Sequence, residues 1–461
     1  MCLNRENCRY RRLPLLAVLL VAALSAGCVG LSRSGERQAR RDVAEVSGVY
    51  RPHDRTPALP ELTTASSLSN VLVYAMLNQP KVEAAYYDWA ASVEKITVDR
   101  SLPDPKLTFE SDIADIVMTI MPGLMQDFPG PGKLKAAANA ATAASRAKYF
   151  NFESAVLQSA LDLKRAYFNL HFLDERIRIN RQSLQLLRGL EKIARAQNEV
   201  GKVTLQDVYR AQIEQDQLAT EIANLEDSRL SLVAQYKAAL GLKHDQPDPP
   251  APAEFEPTAL GLNADELLAT AFARNPQLKA MEAEVRMAEA DIAMARKSRV
   301  PDFSVGLEAD AKAAPTMYRP QATMTLPIWR DKIAAEIAQA QAGKRAAQAR
   351  LTSEQIGLTV DVAMKTYDYQ EVTRNLALLQ DKLVPKARQS LEIARSGYLA
   401  GEIDFFNLID AERTLLNFQL MEVESRTQRE IVLAELSLVI AGVPPPGAPV
   451  LAPAPNNSKG K

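Results

Sequence analysis

The sequence predicts a mainly α chain with a small β part, written twice. Three observations carry this: text repeating at an offset near 200 residues, apolar seams with 3/4 spacing along very long segments, and two short segments in which apolar and polar residues alternate, each followed by a partner strand.

The elements follow in chain order. Arg5, Arg9, Arg11 and Arg12 precede an apolar stretch from Leu13 to Leu24 and then Ser25-Ala26-Gly27-Cys28. That run is shorter than the roughly 20 residues a membrane-crossing helix needs, so it reads as a cleaved export signal over 1–27. The string Leu-Ser-Ala-Gly-Cys resembles the bacterial lipoprotein signal, although Ser25 stands where Leu is usual. This resemblance implies lipid attachment, including palmitate, at Cys28. Residues 28–65, polar and carrying Pro52, Pro57 and Pro60, read as an extended tether. Two repeats are expected over 66–245 and 263–442, separated by a Pro-rich linker at 246–262 and followed by a Pro-rich tail at 443–461.

The duplication is visible at three collinear places. Gly201 to Ala211 matches Gly401 to Ala411, Leu102-Pro103-Asp104 matches Val300-Pro301-Asp302, and Gln79-Pro80 matches Asn275-Pro276. Each copy predicts a helix (about Leu68–Ser101 and Asn263–Arg299), two strands, and two long helices. Leu107, Phe109 and Ile113 alternate with polar residues, as do Phe303, Val305 and Leu307. Their partners are Val117–Phe128, interrupted by Pro122-Gly123, and Met317–Leu326, weakened by Pro320. The helices that follow, about Lys133 to Val200 and Lys332 to Leu399, could each reach about 100 Å. Their seam is Leu170, Leu173, Ile177, Asn180, Leu184 and Leu187, returning as Leu218, Ile222, Leu225, Arg229 and Leu232; Pro385 should kink the second copy.

Composition removes several functions. Lys plus Arg (55) balances Asp plus Glu (56), giving no field to hold a nucleic acid. Three His, three Cys and 19 Gly, without a phosphate-cradling motif, leave no catalytic, metal or cofactor constellation. An enzyme is not expected. His53, His171 and His244 are far apart and read as structural, Trp89 and Trp329 as packing or interfacial anchors, and the strand methionines as packing rather than soft-metal ligands.

Four strands cannot close a barrel, and open edges are forbidden in lipid. A homotrimer lending four strands per chain would close a twelve-stranded transmembrane barrel, with Glu110, Asp112, Glu308 and Asp310 facing its lumen. The same symmetry would arrange the antiparallel helices as an α-barrel.

From about Leu68 to Gly442 the chain resembles the TolC family of outer-membrane efflux ducts. The motifs are the duplication, Asn-Pro-x-Leu-x-Ala at 275–280, x-Pro-Asp-Pro at 102–105, and the tip running from Gly397-Tyr398 through Gly401 to Asp410-Ala411. The resemblance implies a trimer crossing the periplasm and the outer membrane of a Gram-negative cell, docked to a periplasmic adaptor (membrane fusion protein) and an inner-membrane pump of the RND type. It also implies a periplasmic gate at the hairpins 198–208 and 398–408, turning on Gly201 and Gly401. The family's constricting acids fall on Asn407 and Asp410, of which only Asp410 keeps a carboxylate. Its clamp falls on Tyr398, Asp207 and a basic residue replaced here by Ile403, with Arg210 as a substitute partner. Asp404 and Thr204 also read as helix caps. The Pro-Gly-Lys turn at 131–133 resembles that of divalent-metal efflux partners. The expected function is therefore a passive exit duct for small toxic compounds or metal ions. The alternatives are the duct of a type I protein-secretion system and a non-conducting structural coiled-coil lipoprotein.

Overall fold

The computed structural model describes residues 34–114, 117–250, 264–310 and 315–441. The signal segment, Cys28, most of the linker and the tail lie outside them. Two compact units are present, and each is described by itself.

The first unit takes residues up to Glu45, Tyr86–Phe150 and Lys279–Ser353. It holds the strands β1 (Lys106–Ala114), β2 (Val117–Phe128), β3 (Phe303–Asp310) and β4 (Met317–Met324). They form one antiparallel sheet in the order β1-β2-β3-β4, so the hairpin of each repeat meets the other along β2 and β3, from Gly123↔Glu308 to Phe128↔Phe303. β2 runs unbroken through Pro122, because the ladder on either side outweighs one missing N–H. β4 ends two residues before the expected Leu326, where Thr325 N donates to Asp302 O at 2.9 Å and its hydroxyl accepts from Asp302 N at 2.8 Å.

The sheet has two unlike faces. Leu107 and Phe109 are 65% and 66% exposed, and Leu124, Val305, Leu307 and Tyr318 share their face. The other carries Lys106, Glu110, Asp127, Glu308 and Asp310, with Lys106 Nζ 2.7 Å from Asp127. Both motifs flanking the sheet prove to be one joint. Asp302 accepts from Gly130 N at 2.7 Å and pairs with Lys133 at 2.8 Å, while a Cβ at Gly130 would lie 2.4 Å from Pro301 O.

The tether reading is corrected over Ser34–Tyr50, which form a helix, α1. Its Glu36 is buried, accepting from Thr97 Oγ1 at 2.8 Å with Arg100 Nε at 2.7 Å, and Arg40 forks onto Glu94 at 2.8 Å. These partners lie in the helix Pro80–Arg100, so a segment polar by composition is fixed by long-range ion pairs that local pattern does not display. Trp89 is buried against Tyr149 at 5.0 Å, whereas Trp329 is 72% exposed.

Each opening helix is two helices rather than one. α2 (Leu68–Asn78) and α3 (Pro80–Arg100) part at Pro80, and α6 (Ala264–Arg274) and α7 (Pro276–Lys297) part at Pro276, since proline cannot donate the next helical bond. The long helices are α4 (Lys133–Glu199) and α5 (Leu205–Ala239) in the first copy. In the second they are α8 (Arg330–Leu378), a π turn at Leu379–Leu383, α9 (Val384–Ala400) and α10 (Phe405–Ala441). Pro385 thus sits just after a widened turn that accommodates its missing N–H.

The second unit takes Val46–Ala85, Asn151–Leu278 and the residues from Glu354 on. Here both repeats make the same tie. Gln79 Nε2 donates to Ala238 O at 3.0 Å and Asn78 Nδ2 to Leu240 O at 2.9 Å, while Asn275 Nδ2 donates to Val439 O at 3.1 Å and its Oδ1 accepts from Leu278 N at 3.0 Å. The expected seam is in place, with Leu170, Leu173, Ile177, Asn180, Leu187, Leu218, Ile222 and Leu225 all buried and Arg229 paired to Asp174.

Candidate functional site at the hairpin ends

The hairpin ends of the second unit share one apolar cluster drawn from α4, α5, α9 and α10, including Leu187, Leu190, Val208, Leu391, Tyr398, Phe405 and Leu408. Each end turns on a glycine in the left-handed region, Gly201 at φ 74° and Gly401 at φ 80°, a conformation costly for a residue with a Cβ. Glu402 N then bonds back to Gly397 O at 2.8 Å, as Lys202 N does to Gln197 O at 2.9 Å.

The motif around Tyr398 has a steric reason. A Cβ on Gly397 would lie 2.7 Å from Ile403 Cδ1, so this glycine lets Ile403 fold back over the helix end. Tyr398 packs on Phe405 at 5.3 Å, and its buried hydroxyl has no hydrogen-bond partner among the described residues. Burial, and next the charge of Asp207, push that hydroxyl's pKa up to about 12. Tyr398 and Asp207 are therefore brought within electrostatic reach across the hairpins.

Asp207 is also a cap, its carboxylate accepting from Thr204 N at 3.3 Å and Thr204 Oγ1 at 3.2 Å. Asp404 caps α10, accepting from Asn407 N at 2.9 Å. Arg210 does not take the vacated basic role beside Asp207; its guanidinium lies 5.1 Å from the Phe406 ring centre. Asp404 at the cap and Asn407 and Asp410 on α10 stand three apart and are all exposed, forming one polar stripe.

Two features escape motif reading. Arg413 pairs with Glu214 at 2.9 Å, joining α10 to α5. Glu412 is only 2% exposed and accepts a hydrogen bond from Ser183 of α4. Burial raises its pKa to about 7, with Glu214 adding to the rise and Ser183 and Arg413 opposing it. The spacing Leu408, Glu412, Leu415 puts this acid on the apolar seam, a signal that was present in the sequence. Among the described residues no three His, Cys, Asp or Glu side chains converge as a metal site, and no helix is long and apolar enough to cross a membrane.

Comparison with known proteins agrees with this architecture. The cobalt-zinc-cadmium resistance protein CzcC of Cupriavidus metallidurans is 25% identical over 263 residues, 54% of this chain, which spans 60% of that relative. The outer-membrane channel OprN superposes with a TM-score of 0.70 at 16% identity, covering 81% of this chain and 90% of its own. The outer membrane protein VceC of Vibrio cholerae does so with a TM-score of 0.69 at 17% identity, covering 81% and 96%. The family described as outer membrane efflux protein matches residues 72–242 and 267–442, both repeats almost end to end. With the repeated helix–strand–helix order and the four-stranded sheet, this match establishes that the chain belongs to the outer membrane efflux protein family.

Proposed function

We propose that the chain is the exit duct of a tripartite efflux pump, acting as a homotrimer with a periplasmic adaptor and an inner-membrane pump of the RND type. The observation that carries it is the sheet. Its outer strands β1 and β4 leave edges that a neighbouring copy can pair, one face is apolar and exposed, and the other is charged. In water such a sheet would aggregate and in lipid its edges would be unsatisfied, whereas twelve strands from three copies satisfy both demands. Acylation of Cys28 would add a lipid anchor beside the barrel.

In this reading the hairpin ends are the periplasmic gate. Three copies of the Asp410 stripe would ring the axis and favour cations in a narrow mouth. Tyr398 and Asp207 would hold adjacent hairpins in the closed arrangement. The likeness to CzcC and the Pro-Gly-Lys turn favour divalent metal ions as cargo, exported passively with energy supplied by the pump.

Single-channel recording in planar bilayers, with oligomer mass measured on the same sample, tests this. The expected result is a trimer of small, cation-selective conductance that rises in Asp410→Ala. A monomer, or a trimer that never conducts, would overturn the duct.

A further inference from the structure

We infer that the polar face of the sheet carries a divalent-cation site between Glu110 of β1 and Glu308 of β3, built over the bare backbone of Gly123. The register places Thr108, Gly123, Glu308 and Arg319 in one row across the four strands, with Glu110 two residues further along β1 on the same face. Gly123 makes the meeting possible: a Cβ there would lie 2.5 Å from Glu308 Cγ and 2.6 Å from Thr108 Oγ1. Glu308 therefore leans across β2 until its carboxylate comes within hydrogen-bond reach of Glu110.

Two acids alone would not make a site. Glu308, however, is only 4% exposed, and its Oε2 has no hydrogen-bond donor among the described residues. Thr108 Oγ1, in the same gap, is also buried without a partner. Gln321 reaches the Glu308 carboxylate from one side, and Arg319 lies 3.7 Å from Asp310. Neither supplies Oε2. The charge of Arg319 acts on the Glu308 carboxylate only through space, and Oε2 still faces a second carboxylate and a lone-pair-bearing hydroxyl with no donor of its own, an arrangement that a cation taking oxygen from all three would satisfy. Met121, opposite Glu110 in the ladder and buried, would offer a thioether, which suits a soft ion such as cadmium or a borderline one such as zinc. With so few ligands the site would bind weakly, as a station on a conducting path must.

The test is equilibrium dialysis of the full chain in detergent against cadmium, for wild type, Glu308→Gln and Gly123→Ala, with trimer mass and bilayer conductance measured in parallel. Wild type should hold one cadmium per chain that zinc displaces. Glu308→Gln should weaken that binding at least about tenfold with trimer mass kept, and Gly123→Ala should do the same by wedging the gap open. Cadmium binding unchanged in Glu308→Gln, or none in wild type, overturns the site even where the trimer conducts. Failure of wild type to conduct would instead count against the duct, whatever the dialysis gives.

Discussion

The two hairpin ends share one backbone and use it differently. Both turn on a left-handed glycine and restart on a capping side chain, yet Asp207 and Arg210 of the first correspond to Asn407 and Asp410 of the second. In the first, the acid is spent on Thr204 and the base on Phe406 of the other copy. In the second, Asp404 does the capping and Asp410 is left exposed. Duplication supplied the fold twice, and divergence at two positions concentrated the exposed acid in one copy.

Predictions follow from breaking that pairing, in order of expected effect. Leu408→Ala, at a site fully buried between the copies, should cost about 2–5 kcal/mol, read by chemical denaturation in detergent. Its failure to destabilise would mean that the copies do not share a core.

Glu412→Gln tests a feature of the second copy alone. A carboxyl whose pKa rises from 4.5 to about 7 on folding contributes stability that is complete below about pH 4.5 and lost as pH rises through about 7. The stability difference across that window should be about 3 kcal/mol and should vanish in Glu412→Gln, as followed by melting temperature against pH. A pH profile identical to wild type would show that Glu412 is already hydrated.

The glycines sharpen the comparison further. Neither Gly201 nor Gly401 has a neighbour near the position of a Cβ, so alanine at either should cost only the left-handed backbone strain, about 1–2 kcal/mol, and equally. Gly397→Ala, where the first copy already has Gln197, should destabilise by contact with Ile403 and be relieved by Ile403→Ala in the double variant. The smallest effects belong to the caps, where Thr204→Ala and Asp404→Ala should each cost about 1 kcal/mol.

Much of the fold was legible because it is periodic. The seam from Leu170 to Leu187, the strand Val117–Phe128 and the turns at Gly201 and Gly401 follow from local spacing, and the structure keeps them. The candidate site was half legible. Motif alignment located Tyr398, Asp207 and Asp410, and the structure brings the first two into reach. It did not show that Arg210 lies over Phe406 and passed over Arg413 with Glu214, since a side chain's partner on another helix leaves no trace in its own segment.

By itself the sequence determined the duplication, the helix and strand content and the position of the turns, because backbone preference and apolar period act over a few residues. The tertiary structure decided what depends on distance. It paired β2 with β3 across the two copies, folded Ser34–Tyr50 into a helix anchored through its own Glu36, joined the Pro-Gly-Lys turn to Asp302, and buried Glu308 where local text shows only one more acid. The pairs themselves join residues far apart in the chain, more than 100 positions for Lys133 with Asp302 and Ser183 with Glu412, and no local pattern records the partner.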